Sequence, residues 1–166
     1  MFTGHVTPCW NMQQIKNLEY KDDYHKDTAL IRKYIDAGHS SKHITIYNYF
    51  EPNPMPDSAA QVKEHFKRLG NLSLAINKFT PGQYLPMHHD LYGNFKLLHR
   101  LDADVAIVRI MVMMEDSSPG QILQIGDNSW SKWRAGEWMG WINTTEHASY
   151  NLSMSDRYAW QITGTI

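Results

Sequence analysis

The chain has 166 residues, a formal net charge of −1 and a pI near 6.7. That length suits one domain, residues 1–166, with a real core, and the balanced charge gives no case for nucleic acid or an anionic membrane surface. A single cysteine, Cys9, excludes an internal disulfide and fits a reducing compartment. No apolar run is long enough to cross a bilayer, and Met1 to Trp10 lacks the basic stretch and apolar block of a signal peptide, so the expected setting is cytoplasmic.

In chain order, residues 1–26 are polar and aromatic without a clean period and read as loop with room for one short strand. Asp27 to Gly38 is a predicted helix: Leu30, Ile31, Tyr34 and Ile35 recur at helical spacing, with Asp27 placed to cap it and Gly38 to end it. Ile44 to Phe50 alternates like a strand, and the prolines of Glu51 to Pro56 make a loop. A second helix runs from Ser58 to Leu69, where Ser58 and Gln61 have capping-box spacing and Gly70 is the stop.

After Gly70 everything reads as β. Leu72, Leu74 and Ile76 open a strand toward Phe79, Pro81-Gly82 turns, and the next strand or strand edge carries His88 and Asp90. Leu91 to Asp104 reads as a mixed loop. Val105 to Met114 is apolar almost throughout, like a strand buried on both faces, with Arg109 in its middle. Gln121 to Ile125, the turn Gly126-Asp127-Asn128, then Trp138 to Ile142, His147 to Ser153 and Arg157 to Thr163 complete the set. The expected fold is mainly β with N-terminal helices: residues 1–70 as helical and loop support, both helices on one sheet, and residues 71–166 as a double-stranded β-helix, a cupin-like jelly roll.

Side chains alternate along a strand, so His88 and Asp90 point one way and His89 the other. With a third ligand, His147, they would form two imidazoles and a carboxylate around an ion with open positions, a set that suits non-haem Fe(II). His99 competes for the third place, but it sits in a polar stretch. Arg157, ten residues past His147, is a donor fork suited to a carboxylate. Arg109 needs a partner in its apolar strand. It either pairs with a carboxylate such as Asp102 or Glu115, or receives one from a bound molecule.

The segments Pro86-x-His88-x-Asp90, the strand with Arg109, Trp133-x-x-Gly136, Gly136 to His147, and Arg157 together resemble the Fe(II)/2-oxoglutarate oxygenases, and within them the aspartyl/asparaginyl β-hydroxylase branch. The resemblance implies that His88, Asp90 and His147 are catalytic iron ligands, that Arg157 binds the distal carboxylate of 2-oxoglutarate, and that Arg109 helps hold this co-substrate. It implies a dioxygenase using Fe(II), 2-oxoglutarate and O2, hydroxylating an amino acid, peptide or protein side chain with release of succinate and CO2. A small-molecule, peptide or protein is then the expected partner, with no nucleic acid and no membrane. This chain reads Arg109-Ile110-Met111 where the branch usually carries Arg-x-His, its loop between Asp90 and Arg109 is longer, and residues 1–70 match nothing specific. A jelly-roll protein that binds metal or a small carboxylate without turnover is the competing reading. A zinc or nickel cupin-like isomerase is the third, but it has no need of Arg157.

Overall fold

The computed structural model describes residues 1–22 and 28–166. Before Gly70 the chain supplies β1 (Phe2–His5), α1 (Met12–Lys16), β2 (Lys21–Asp22), α2 (Ala29–Asp36), β3 (Tyr47–Phe50) and α3 (Ser58–His65). From there on come β4 (Gly70–Phe79), β5 (Tyr84–His88), α4 (Gly93–His99), β6 (Ile107–Met113), β7 (Gln121–Ile125), β8 (Asn128–Trp130), β9 (Glu137–Ile142), β10 (His147–Asn151) and β11 (Arg157–Thr165). A seven-stranded sheet runs β1-β9-β6-β11-β4-β3-β2 and a four-stranded sheet β5-β10-β7-β8.

The apolar run of β6, broken only by Arg109, has a simple cause: the strand is covered on both faces. Val108, Ile110 and Val112 join Leu74 and Ile76 of β4 and Trp160 and Ile162 of β11 in a core shared with Ile15 of α1 and with Ala59, Val62 and Phe66 at α3. Met111 and Met113 face the other way, packing with Met139 and Trp141 of β9 against Leu123 and Ile125 of β7, which belongs to the small sheet. The two sheets therefore close on each other, and α1 and α3 back the larger one.

The helices expected on a single sheet are divided. Tyr34 of α2 makes an edge contact with His39, His39 with Tyr84, and Tyr84 stacks on Tyr150, so α2 lies toward β5 and β10 of the small sheet. Thr28 caps α2 by accepting from the Ile31 amide, and Gly38 ends it at φ +97°; the expected cap, Asp27, lies outside the described residues. The capping box at Ser58 does not form. The turn begins earlier, with the Ala59 amide donating to the Pro56 carbonyl, and the Ser58 hydroxyl is buried without a partner among the described residues. The stretch read as a mixed loop contains α4, with Leu97 and Leu98 exposed and no residue buried.

Candidate metal centre and its cleft

β5 and β10 pair antiparallel with His147 directly opposite His88, and the register shifts before Ser149 meets Leu85. That pairing sets the two imidazoles side by side, their ring centres 4.4 Å apart. Asp90 lies just past the end of β5 and turns its carboxylate to both: Oδ1 is 3.7 Å from His88 Nε2 and Oδ2 3.8 Å from His147 Nε2. Ligand atoms of the three residues all lie within 4.8 Å of one another, the one such group of three among the described residues.

The remaining ring nitrogens explain why Nε2 faces inward. His88 Nδ1 donates to the Pro86 carbonyl at 2.7 Å and His147 Nδ1 to the Thr145 carbonyl at 3.2 Å. A carbonyl only accepts, so Nδ1 carries the proton and Nε2 holds its lone pair, the tautomer a metal requires. Burial, outweighing Asp90, lowers the His147 pKa to about 4 and keeps it neutral at physiological pH. Burial would raise the Asp90 pKa, but Arg109, His147 and His88 outweigh it and hold the carboxyl at about 2. Two imidazoles and one carboxylate converging on a point are a donor set that fits Fe(II). His89 is turned outward, half exposed, with Nδ1 4.0 Å from Glu146. His99 sits apart, its Nε2 3.3 Å from Ser73 Oγ.

Arg109 pairs with neither Asp102 nor Glu115. Its Nε and Nη2 both donate to Asp90 Oδ2, at 3.1 and 2.9 Å, and its Nη1 donates to Thr163 Oγ1 at 2.8 Å, the residue opposite it on β11. The guanidinium lies 4.9 Å from the centre of the Tyr92 ring. Tyr92 holds a left-handed backbone, φ +54°, uncommon for a bulky side chain and found where the surroundings over-determine it.

Arg157 is different. It faces inward from β11, opposite Phe79 of β4, with the guanidinium 4.4 Å from that ring centre. Nη1 donates to the carbonyls of Ile122 at 3.0 Å and Tyr150 at 3.2 Å, and Nη2 to Ser149 Oγ. Among the described residues no carboxylate forms an ion pair with it; burial alone pulls its pKa down to about 9, which leaves it a cation at neutral pH. Ser149 follows His147 by two residues on the same face of β10, so the hydroxyl that accepts from Arg157 stands roughly 7 Å along the strand from His147.

Beside the triad runs a cleft of about 50 Å³, lined by Asn77, Phe79, Met111, Trp141 and Gln161 among others, and by Ser149, the hydroxyl partner of Arg157. Asn77 Oδ1 and Trp141 Nε1 are buried without a hydrogen-bond partner among the described residues, a costly state that a polar occupant would relieve. A larger hollow of about 590 Å³ has Arg157 in its wall; its other charges pair with one another, Lys16 meeting Glu115 at 2.7 Å and Lys78 meeting Asp156 at 3.0 Å, and it contains none of the three possible metal ligands. The cleft is the candidate site.

Thr163, Tyr92, Ser149 and Asn77 escaped the sequence reading. Ser149 was within reach of it, two positions past His147 and so on the same face of a strand. Tyr92 and Asn77 carry no such signal.

No protein-family model and no curated protein matches the chain. Among solved structures, a Pseudomonas putida prolyl-4-hydroxylase superposes with a TM-score of 0.57 at 11% identity, covering 81% of each chain. The fold is a cupin-like jelly roll. KdgF from a Halomonas species covers 73% of this chain and 79% of its own at 10% identity, with a TM-score of 0.45. The jelly roll places a possible metal site between its sheets, and no helix among the described residues is long and apolar enough to cross a membrane.

Proposed function

We propose that the protein is an Fe(II)- and 2-oxoglutarate-dependent oxygenase that hydroxylates an amino acid, peptide or protein side chain. The observation that carries this reading is Arg157, a buried cation without a carboxylate partner among the described residues, donating to Ser149 two residues past His147 on β10. A buried charge of this kind is expensive unless something answers it, and a metal-binding protein alone would not need it. The fold is shared with a prolyl-4-hydroxylase, which agrees with the proposal.

In this reading His88, Asp90 and His147 hold the iron, and iron with 2-oxoglutarate and O2 supplies the oxidising chemistry, yielding succinate and CO2. The chain's own residues do the rest. Pro86 and Thr145 fix both imidazole tautomers through their carbonyls. Arg157 and Ser149 receive the distal carboxylate of the co-substrate, two parallel charge-assisted hydrogen bonds setting its direction. Met111, Phe79 and Trp141 give walls that exclude water from the ion. At about 50 Å³ the cleft holds only a few waters, so co-substrate entry requires these side chains to move apart.

The test is direct: incubate the protein with Fe(II), ascorbate and 2-oxoglutarate, and assay succinate. Succinate above a His147→Ala control is the expected result. Tight Fe(II) binding with no 2-oxoglutarate binding would favour the jelly-roll protein that holds a metal without turnover.

A further inference from the structure

Arg109 is named by the family resemblance as a co-substrate residue, yet every contact it makes points back to the protein. The geometry points to Arg109 as a positioning residue that fixes Asp90 as a one-oxygen metal ligand, with Tyr92 and Thr163 holding the guanidinium in place. This inference rests on the metal centre proposed above.

The argument is one of lone pairs. Each carboxylate oxygen offers two good acceptor directions. Arg109 Nε and Nη2 both aim at Oδ2, at 3.1 and 2.9 Å, and so take up that oxygen. Oδ1 lies 3.7 Å from His88 Nε2 and Oδ2 3.8 Å from His147 Nε2, so distance does not separate them; the two Arg109 donors on Oδ2 leave Oδ1 as the oxygen free to ligate. A carboxylate with both oxygens available can swing between one- and two-oxygen binding; here the second oxygen is held.

The fork itself has little freedom. Nη1 is held by Thr163 Oγ1 at 2.8 Å, and one face of the guanidinium lies over Tyr92, 4.9 Å from the ring centre. Two donors are committed to Asp90 and a third to Thr163. Partners this specific, around a residue in a strained left-handed backbone two positions past Asp90, mark a support shell built around one ligand. A lysine would supply charge at this place without the planar fork.

Charge and geometry predict opposite signs, which makes the inference testable. Arg109 is a cation beside a cation site, so Coulomb repulsion alone says that removing it tightens metal binding. If positioning dominates, removing it weakens metal binding, because Asp90 loses its orientation.

The experiment titrates Co(II), whose visible absorption reports coordination, into the metal-free wild type, Arg109→Met and Arg109→Lys, each checked for folding by circular dichroism. Expected are a loss of Co(II) affinity of about tenfold or more in Arg109→Met, altered absorption bands, and an intermediate Arg109→Lys. At saturating Co(II), 2-oxoglutarate affinity should stay within about twofold of wild type. Should Arg109→Met fail to fold, Arg109→Lys, which keeps the buried charge, carries the test, and an unchanged affinity and spectrum there overturns the inference. A pair of variants adds the second arm. In an Asp90→Gly background, Arg109→Met should cause no further loss, since the ligand it positions is gone. A further loss of similar size, equal or tighter Co(II) binding by Arg109→Met alone, or a fall in 2-oxoglutarate affinity with Co(II) binding unchanged would each overturn it. A wild type that takes up no Co(II) removes the metal centre itself and is a separate outcome.

Discussion

Two arginines stand on inward-facing positions of neighbouring strands, both buried, and their surroundings differ in one respect. Arg109 on β6 ends on a carboxylate: burial would lower its pKa, but Asp90 and Tyr92 together outweigh it and raise it. Arg157 on β11 ends on two carbonyls and a hydroxyl, and burial lowers its pKa with nothing to oppose it. The same residue type at similar depth is thus complete in one place and incomplete in the other. Function is sought where the charge is unanswered.

The sharpest way to break this comparison is to remove each charge from the metal-free protein. Arg109→Met strands Asp90 in the interior and should cost about 3–5 kcal/mol in urea unfolding. Arg157→Met strands no partner charge and removes only hydrogen bonds to two carbonyls and a hydroxyl, so its cost should be smaller, about 1–2 kcal/mol. Equal losses would mean that the two environments are energetically alike.

Next is ligand affinity. Arg157→Ala should weaken 2-oxoglutarate binding by about 3–4 kcal/mol, a few hundredfold, with Arg157→Lys between the two. Fe(II) affinity should hardly move, because Arg157 is outside the triad. Paired titrations of Fe(II) and 2-oxoglutarate on the alanine variant decide it.

The pH dependence of the metal-free protein sharpens the picture of the triad. His147 has its folded pKa lowered from 6.5 to about 4, so between those values the unfolded chain binds a proton that the folded protein refuses. Stability should be full above pH 6.5, fall as pH drops through this window by roughly 3 kcal/mol, and level off below about 4. His147→Gln should flatten that slope in denaturant melts taken with chelator present.

Two smaller effects follow. Ser149→Ala removes one hydroxyl partner of Arg157 and should weaken 2-oxoglutarate binding by about 2 kcal/mol, measured by calorimetry. Thr163→Val takes one hydrogen bond from Arg109 while leaving the Asp90 pair, so the stability loss should be about 1 kcal/mol.

Much of the fold was legible because its cause is local. The alternating Leu72, Leu74 and Ile76, the continuous β6 run and the turn at Gly126 each declare a strand or a turn by their own pattern. α1 and α4 were not legible. α1 is five residues long and buries only Ile15, and α4 begins at glycine, has no side-chain cap and buries nothing, so neither leaves a periodic stripe. β1 is exposed along its length and exists through backbone pairing with β9, which no side-chain pattern encodes.

The site divides the same way. That His88 and Asp90 share a face follows from strand geometry, and the structure brings both to His147. The partner of Arg109 did not follow. Asp102 and Glu115 are nearer in sequence, but Asp90 comes close only because the chain leaves β5, passes through α4 and returns as β6. Proximity made by a crossover has no trace in spacing.

Arg157 has a mechanical consequence as well. It begins on the seven-stranded sheet and its hydrogen bonds end on Ile122, Ser149 and Tyr150 of the four-stranded one. It is therefore a rivet through the sandwich, fastened to Ser149 on the wall of the cleft. An anion that claims the guanidinium competes with the carbonyls that now hold the sheets at their present spacing. In the proposed reading, taking in the co-substrate and easing the rivet would be one event, and the width of the cleft would be set by its occupant.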